Sequence, residues 1–420
     1  MNDKQNPPAG ASSTDRRKFI KTTAMAVVAS SLPLFNIGRA AADEPLKIGM
    51  VLAKQGPFAL LGVDLATGVQ MAFEQAGKKV LGRPAELIWL DESSPQTASQ
   101  NIAKLIDEDK VIAVIGGSGS ATSLAMGAVA LRSRVPFISI NAAAREVTGK
   151  DCNPFMFRTA ATVPVYAHAM APYLLAMGKR WHFISGAFAF GDDVVKTFSD
   201  LLLSNGGTVV GVDRVPVETT DYSSFILKAR AANPDVVVSG AVQIAPLLKQ
   251  FKEFGLAGKL PLAGPAVTDP DLWGAGLGTV SGIYGKSWYH DDPLNSAQEK
   301  AFVKTFQDKQ GRPPSDKMFD GWHAMRMLLA AIEAAKTSNS VQITHSLEAV
   351  RLDDGGGNFT TFRKWDHQQV RRVVVATAKL HPTDKWNLLD VKPSETNAAA
   401  IDRMYGTPAE VGCQMAPIGA

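Results

Sequence analysis

The chain predicts an α/β fold made of two lobes, each a mainly parallel sheet flanked by helices. Three observations carry that prediction. Short apolar runs alternate with segments of helical period, the pattern of parallel strands covered by helices on both faces. The alternation stops near residue 141 and restarts near residue 170, so two such units follow one another. The 420 residues, 45% of them hydrophobic, are ample for a packed core and more than one domain commonly holds.

The first unit reads in order. PLKIGMVLA (45–53) is a strand, and LGVDLATGVQMAFEQAG (61–77) has helical spacing and ends on glycine. AELIWLDE (85–92) is a strand followed by a helix over about 95–108. KVIAVIGG (110–117), SATSLAMGAVALRSR (120–134) and VPFISIN (135–141) read as strand, helix and strand. In the second unit, MAPYLLAMGK (170–179) is a helix and RWHFISG (180–186) a strand. DDVVKTFSDLLLSNGG (192–207) is a helix opened by an aspartate and closed by glycine. TVVGVDRVP (208–216), PDVVVSG (234–240), KLPLAG (259–264) and GIYGKSW (282–288) are strands, with helices from 222 and 244 between them. Long helices follow over 299–311 and 319–337, and 355–380 reads as a hairpin turning at 366–369.

Residues 1–42 stand apart. DRRKFIK, a modest apolar core and a small-residue end at 40–42 describe a twin-arginine export signal, which predicts a periplasmic protein. The core contains Pro33 and is too short and polar for a comfortable membrane span, and no later run reaches 18 apolar residues. The segment holds six of the 44 Lys/Arg and two of the 40 Asp/Glu, which leaves 38 of each sign beyond it. A neutral exported chain has no bulk attraction for nucleic acid or anionic lipid. Two cysteines are present, Cys152 and Cys413. In a reducing compartment they are two free thiols; after export a bridge between them is open.

Tests for chemistry fail. None of the seven histidines makes a zinc pattern. No nucleophile elbow appears. The pairs Asp192-Asp193, Asp291-Asp292 and Asp353-Asp354 read as helix caps or turns rather than as paired catalytic acids. The stretch GGSGSATS (116–123) lacks the lysine of a phosphate loop and the third glycine of a dinucleotide fingerprint. What remains is a strand, a turn and a helix start with free N–H groups, with Ser118 and Ser120 adding hydroxyls. That suits one small anion such as a carboxylate; the alternative is that the serines only cap the helix.

From about residue 45 onward the chain resembles the Leu/Ile/Val-type periplasmic solute-binding proteins of ABC importers. KIGMVLAKQGPFALLG, VIAVIGGSGSATS, VPFISINAAAREVTG, FRTAAT, FGDDVVKTF and TTDYSSFILKARAANPDVVV carry the resemblance by their order and spacing. It implies a type I binding-protein fold, two lobes joined by three hinge crossings, with lobe one at 45–161 plus 290–362 and lobe two at 162–289 plus 363–420. It implies a monomer that closes on a small ligand, docks on a membrane permease, and neither catalyses nor carries a cofactor or metal. The same fold serving a sensor or a periplasmic oxidoreductase is the alternative. A cysteine before MFR with another near the C-terminus resembles a subgroup whose tail is tethered by a disulfide, here Cys152 to Cys413.

Carried over by position, the resemblance places Leu61, Ser118, Ser120, Asn141, Ala142, Ala143, Phe190, Gln243 and Ala266 at the ligand. Ala143 replaces a threonine that usually meets the ligand's amino and carboxylate groups. Ala266 replaces a glutamate that neutralises its ammonium. A buried ammonium without such a partner is costly, so the expected ligand is an apolar or aromatic organic acid ahead of a branched-chain amino acid. Arg145 is a candidate second anion contact, and Trp89, Phe188, Trp288 and Tyr289 are candidate cleft aromatics.

Overall fold

The structure is a computed structural model that describes residues 44–353 and 359–418; the expected export signal lies outside them, as does Asp354. The first lobe opens with β1 (Leu46–Val51), α1 (Ala59–Gln75), β2 (Lys79–Val80), β3 (Arg83–Leu90), α2 (Pro95–Asp107), β4 (Val114–Gly116), α3 (Ser120–Ser133), β5 (Phe137–Ser139) and β6 (Met156–Arg158). The strands form one sheet in the order β2-β3-β1-β4-β5-β6, parallel except at the β2–β3 edge. β1 is central and buried at Ile48, Met50 and Val51, as a strand covered on both faces must be.

The chain then builds the second lobe with α4 (Val163–Met177), β7 (Arg180–Gly186), α5 (Ala189–Ser204), β8 (Thr208–Val215), α6 (Ser223–Ala231), β9 (Val236–Gly240), α7 (Ile244–Glu253), β10 (Leu262–Gly264), α8 (Asp269–Ala275) and β11 (Ile283–Lys286). It returns to the first lobe for α9 (Ala297–Gln310), α10 (Asp316–Ala335) and α11 (Ser340–Ala349). Phe302, Phe319, Trp322 and Ile343 from these three helices share a core with β1 and α1. α1 and α10 touch closely because glycine stands at their contact: a Cβ on Gly68 would sit 1.8 Å from the Met318 carbonyl oxygen. The remaining elements are β12 (Leu352–Asp353), β13 (Phe359–Thr360), β14 (Val374–Ala378), β15 (Leu389–Val391), α12 (Ala398–Met404) and α13 (Pro408–Val411). β14 joins β11 antiparallel, which completes a second sheet in the order β15-β14-β11-β10-β9-β7-β8.

Several elements differ from the sequence expectation, and three of the differences have a plain physical reason. α4 starts at 163 rather than 170, because the Thr162 hydroxyl accepts the Val165 N–H and Pro164 fits the first turn; its all-round apolar sequence hides the start. α8 is too short to show a period and is set by the same chemistry, a Thr268 cap with Pro270 in the first turn. The hairpin expected over 355–380 is not one: the chain reverses near 363–368, but β14 pairs with β11 and β15. Its described apolar half, Val374, Val375 and Ala376, extends the second sheet instead.

The first and third crossings between the lobes are bound to one another. The Arg158 N–H donates to the His367 carbonyl and the Gln369 N–H donates to the Arg158 carbonyl, so the third crossing runs beside the first. The Arg158 side chain is fully buried there. Its Nε donates to Gln368 at 2.6 Å, and its other nitrogens reach the Ala142 and Ala144 carbonyls and the Thr148 hydroxyl. Burial lowers its pKa to about 10, which leaves it charged at neutral pH.

Cys152 and Cys413 are joined by a disulfide across 261 residues of chain. The tail before it packs against α4 of the second lobe through Ile401, Met404 and Tyr405, so the covalent tie to the first lobe makes the tail a strap over both. A cross-link over so long a loop stabilises by about 2–4 kcal/mol. Cys413→Ala is expected to lower the denaturant midpoint correspondingly; an unchanged midpoint in chemical denaturation would contradict this role.

Candidate functional site

Between the lobes lies a cavity of about 150 Å³. Its first-lobe wall is the segment entering α1 (Pro57, Phe58, Leu60, Leu61), the turn into α3 (Ser118, Gly119, Ser120), and Asn141 with Ala143. Its second-lobe wall comes from Phe188 and Phe190 at the start of α5, the end of β9 with the start of α7, and the turn from β10 into α8. Both walls are built where strands end and helices begin, the usual place for a ligand in open α/β sheets.

Eight of the nine positions singled out from sequence line this cavity: Leu61, Ser118, Ser120, Asn141, Ala143, Phe190, Gln243 and Ala266. Ala142 does not; it is buried in the core on the α2–α3 face of the first sheet, and its carbonyl takes the Arg158 guanidinium. Of the candidate aromatics only Phe188 is in the lining. Trp288 stacks on Phe319 at 4.5 Å, Tyr289 lies in the second lobe's core, and the Trp89 indole donates to the Leu52 carbonyl.

The glycine turn already holds an anion, and it belongs to the protein. Glu92 is buried; its carboxylate accepts the N–H of Gly117 at 3.1 Å, the N–H of Gly119 at 3.0 Å and the Thr122 hydroxyl at 2.5 Å. Gly117 has φ +88 and a Cβ there would meet the Ser123 hydroxyl at 2.2 Å, so this turn needs glycine. Burial pushes the Glu92 carboxyl up to about 7 against the pull of these donors. Sequence reasoning missed this partner because Glu92 stands 25 residues before Gly117 and only the fold brings the ends of β3 and β4 together on either side of β1.

Glu92 fixes the turn and leaves specific donors toward the cavity. The Ser118 hydroxyl accepts the Ala53 N–H at 3.0 Å and the Ser120 hydroxyl accepts the Ala144 N–H at 3.2 Å. Each hydroxyl therefore keeps its proton to give. The first N–H groups of α3 also have no acceptor inside the helix. Asn141 is committed: its amide donates to the Ser118 carbonyl at 2.8 Å and its oxygen accepts Lys317 Nζ at 3.1 Å.

Arg145 is not available as a second anion contact. It reaches across to the second lobe, where its N–H donates to Asp193 at 2.7 Å and its Nε at 2.5 Å, and its guanidinium also meets Thr197. This corrects both readings: Arg145 is paired, and Asp193 is a buried interlobe partner rather than a cap or solvated turn, since α5 starts earlier than expected. Three further contacts join the lobes around the cavity. Gln243 Nε2 donates to the Pro57 carbonyl at 3.3 Å, and Phe58 and Phe188 meet edge to face at 6.2 Å. Asp269 and Asp316 exchange backbone N–H to carboxylate bonds of 2.8 and 2.9 Å. The fully buried Lys286 sits 2.8 Å from Asp269 and 3.6 Å from Asp316. Asp271 also lines the cavity, at a position sequence reasoning did not select.

Linkage gives Glu92 a signed pH dependence. Its carboxyl is raised in the folded state, so the native protein holds the proton longer and stability falls as pH rises from about 4.5 to about 7. Relative to Glu92→Gln, the wild type is expected to gain on the order of 2 kcal/mol on acidification across that window. Thermal melts of both proteins at several pH values check this; a wild type that loses stability relative to the variant contradicts it.

The periplasmic binding protein family matches residues 45–385. Leu/Ile/Val-binding protein homolog 7 of Brucella abortus is 24% identical over 347 residues, 78% of this chain and 87% of its own length. A periplasmic binding protein from Burkholderia mallei superposes with a TM-score of 0.79 at 24% identity, over 88% of this chain and 98% of that one. An ABC-transporter solute-binding protein from R. palustris, solved with benzoate, gives 0.74 at 22% identity over 85% and 99%. With a family match over most of its length and two mainly parallel sheets flanked by helices, this chain belongs to the periplasmic binding protein family and has its type I fold.

Proposed function

We propose that this protein is the solute receptor of an ABC importer and captures a small carboxylate whose remainder is an apolar, preferably aromatic, ring. The lobes close on the ligand, and the closed form presents it to a membrane permease. The observation that carries the reading is the cavity: serine hydroxyls on the first-lobe wall, apolar side chains around most of the rest, and alanines at 143 and 266. A cavity of about 150 Å³ is the size known to take one benzene ring. The benzoate complex of the R. palustris relative supports the same class.

The gross contact energies are sizeable, and the loss of translational and rotational freedom on association, at least several kcal/mol, is set against them. A hydrogen bond to a charged group contributes about 1.5–3 kcal/mol. Burying a ring of about 150 Å² adds about 4 kcal/mol at 25 cal/mol per Å². Two such bonds and the ring together approach the roughly 8 kcal/mol of a micromolar complex.

One observation favours a second reading, a branched-chain amino acid: Asp271 places a carboxylate on the cavity wall where an ammonium would find a partner. A thermal-shift screen with benzoate, short aliphatic acids and leucine separates the two, since a ligand of the folded state raises the melting temperature. Aromatic carboxylates are expected to give the largest shift, and Ser120→Ala to weaken their binding by about tenfold or more. Leucine giving the largest shift overturns the aromatic reading; unchanged affinity in Ser120→Ala removes the turn from the site.

A further inference from the structure

Asp271 is the one ionisable side chain in the cavity lining among the described residues. It lies on the second-lobe wall, whereas Ser118 and Ser120, the donors assigned to the ligand carboxylate, belong to the first lobe. Thr268 is its sole hydrogen-bonding partner among the described residues: the Thr268 hydroxyl donates to Asp271 Oδ2 at 2.6 Å and accepts the Asp271 N–H at 3.2 Å. A carboxylate has room for about four donors, so most of its capacity is unused. Thr268 and the start of α8 hold it in one orientation. The cations nearest in effect are engaged elsewhere: Lys286, whose charge acts on Asp271 from β11, is bound to Asp269 and to the Val267 carbonyl.

We propose that Asp271 sets the specificity of this site by accepting a hydrogen bond from a hydroxyl group on the ligand's ring, at the end away from the ligand carboxylate. The inference rests on the ring-carboxylate reading of the same cavity. The count of acceptors decides between a hydroxyl and an ammonium. An ammonium brings three donors and needs three acceptors. Beside Asp271 the wall offers Pro265, Ala266, Val267 and Pro270, whose side chains hold none; its polar side chains are already engaged, Thr268 with Asp271, Ser239 with the Ala241 N–H and Gln243 with the Pro57 carbonyl, and the Val267 carbonyl is taken by Lys286. One carboxylate on a wall whose other polar side chains already have partners matches a donor of one proton. A site built to bond a hydroxyl also rejects the analogue without it, because the buried acceptor is then left without a partner.

The test compares 4-hydroxybenzoate with 4-fluorobenzoate and benzoate by calorimetry on the wild type, with leucine as a further probe. The hydroxy acid is expected to bind at least about tenfold more tightly than the fluoro acid, and Asp271→Asn to shrink that ratio to about threefold or less. The ratio is read so that a general loss of affinity in the variant does not count. If the variant binds neither acid, the wild-type ratio at pH about 5 and about 8 decides: burial raises the Asp271 carboxyl to about 6, with Asp316 pushing it up from α10 and Lys286 pulling it down from β11, so the ratio falls at the lower pH. A ratio near one in the wild type, a ratio kept in Asp271→Asn, or a ratio that ignores pH overturns the inference while leaving the ring-carboxylate reading in place. Leucine binding more tightly than every benzoate overturns both.

Discussion

The buried carboxylate of Glu92 is the constraint on which the site depends. Three strands end together at the centre of the first sheet, and the turn after β4 must reverse sharply to start α3. In that turn the Gly119 N–H has no partner in the sheet or the helix, and the Gly117 N–H is shared between the Val51 carbonyl of β1 and Glu92. Glu92, at the end of β3, accepts both and the Thr122 hydroxyl. An unsatisfied buried N–H costs about as much as a lost hydrogen bond, so this buried carboxyl holds the turn in one shape. Ser118 and Ser120 are then anchored through their oxygen atoms, and their protons are left to point elsewhere.

The second constraint is the way the lobes meet. Around the cavity one aromatic contact, Phe58 with Phe188, stands among polar and charged ones: Arg145 with Asp193, Gln243 with Pro57, and Lys286 between Asp269 and Asp316. Lys317 continues this network to Asp320 at 2.7 Å and to Asn141, which lines the cavity. Two ammonium groups thus face three carboxylates, and burial raises the Asp269 carboxyl against the pull of Lys286, toward holding a proton. Such contacts depend on geometry more than apolar ones do and repay their desolvation only when every partner is in place. They suit an interface that forms and separates. At the crossings, by contrast, the buried Arg158 and two paired stretches of chain join the lobes.

The fold was largely legible in the sequence. Alternating apolar runs and glycine or proline stops marked most strands and helices, because their burial is periodic. The misses have physical reasons: α8 is too short to carry a period, α4 is apolar on all sides, and 374–378 reads as a hairpin arm until β11 is known to lie beside it. At the site, position along a family pattern brought Leu61, Ser120, Phe190 and Ala266 to one cavity. It did not bring Glu92 or Asp271, whose parts depend on neighbours distant in sequence or on a short helix. Arg145 looked free for the same reason: Asp193 is 48 residues away.

The central claim is that the cavity receives a ring carboxylate with its carboxylate on the first lobe. A crystal structure of the protein grown with 4-hydroxybenzoate tests it most directly. The carboxylate is expected within hydrogen-bond distance of the Ser118 and Ser120 hydroxyls, with Glu92 still filling the glycine turn. A carboxylate seated on the second-lobe wall, or a ligand bound outside the cavity, would contradict it.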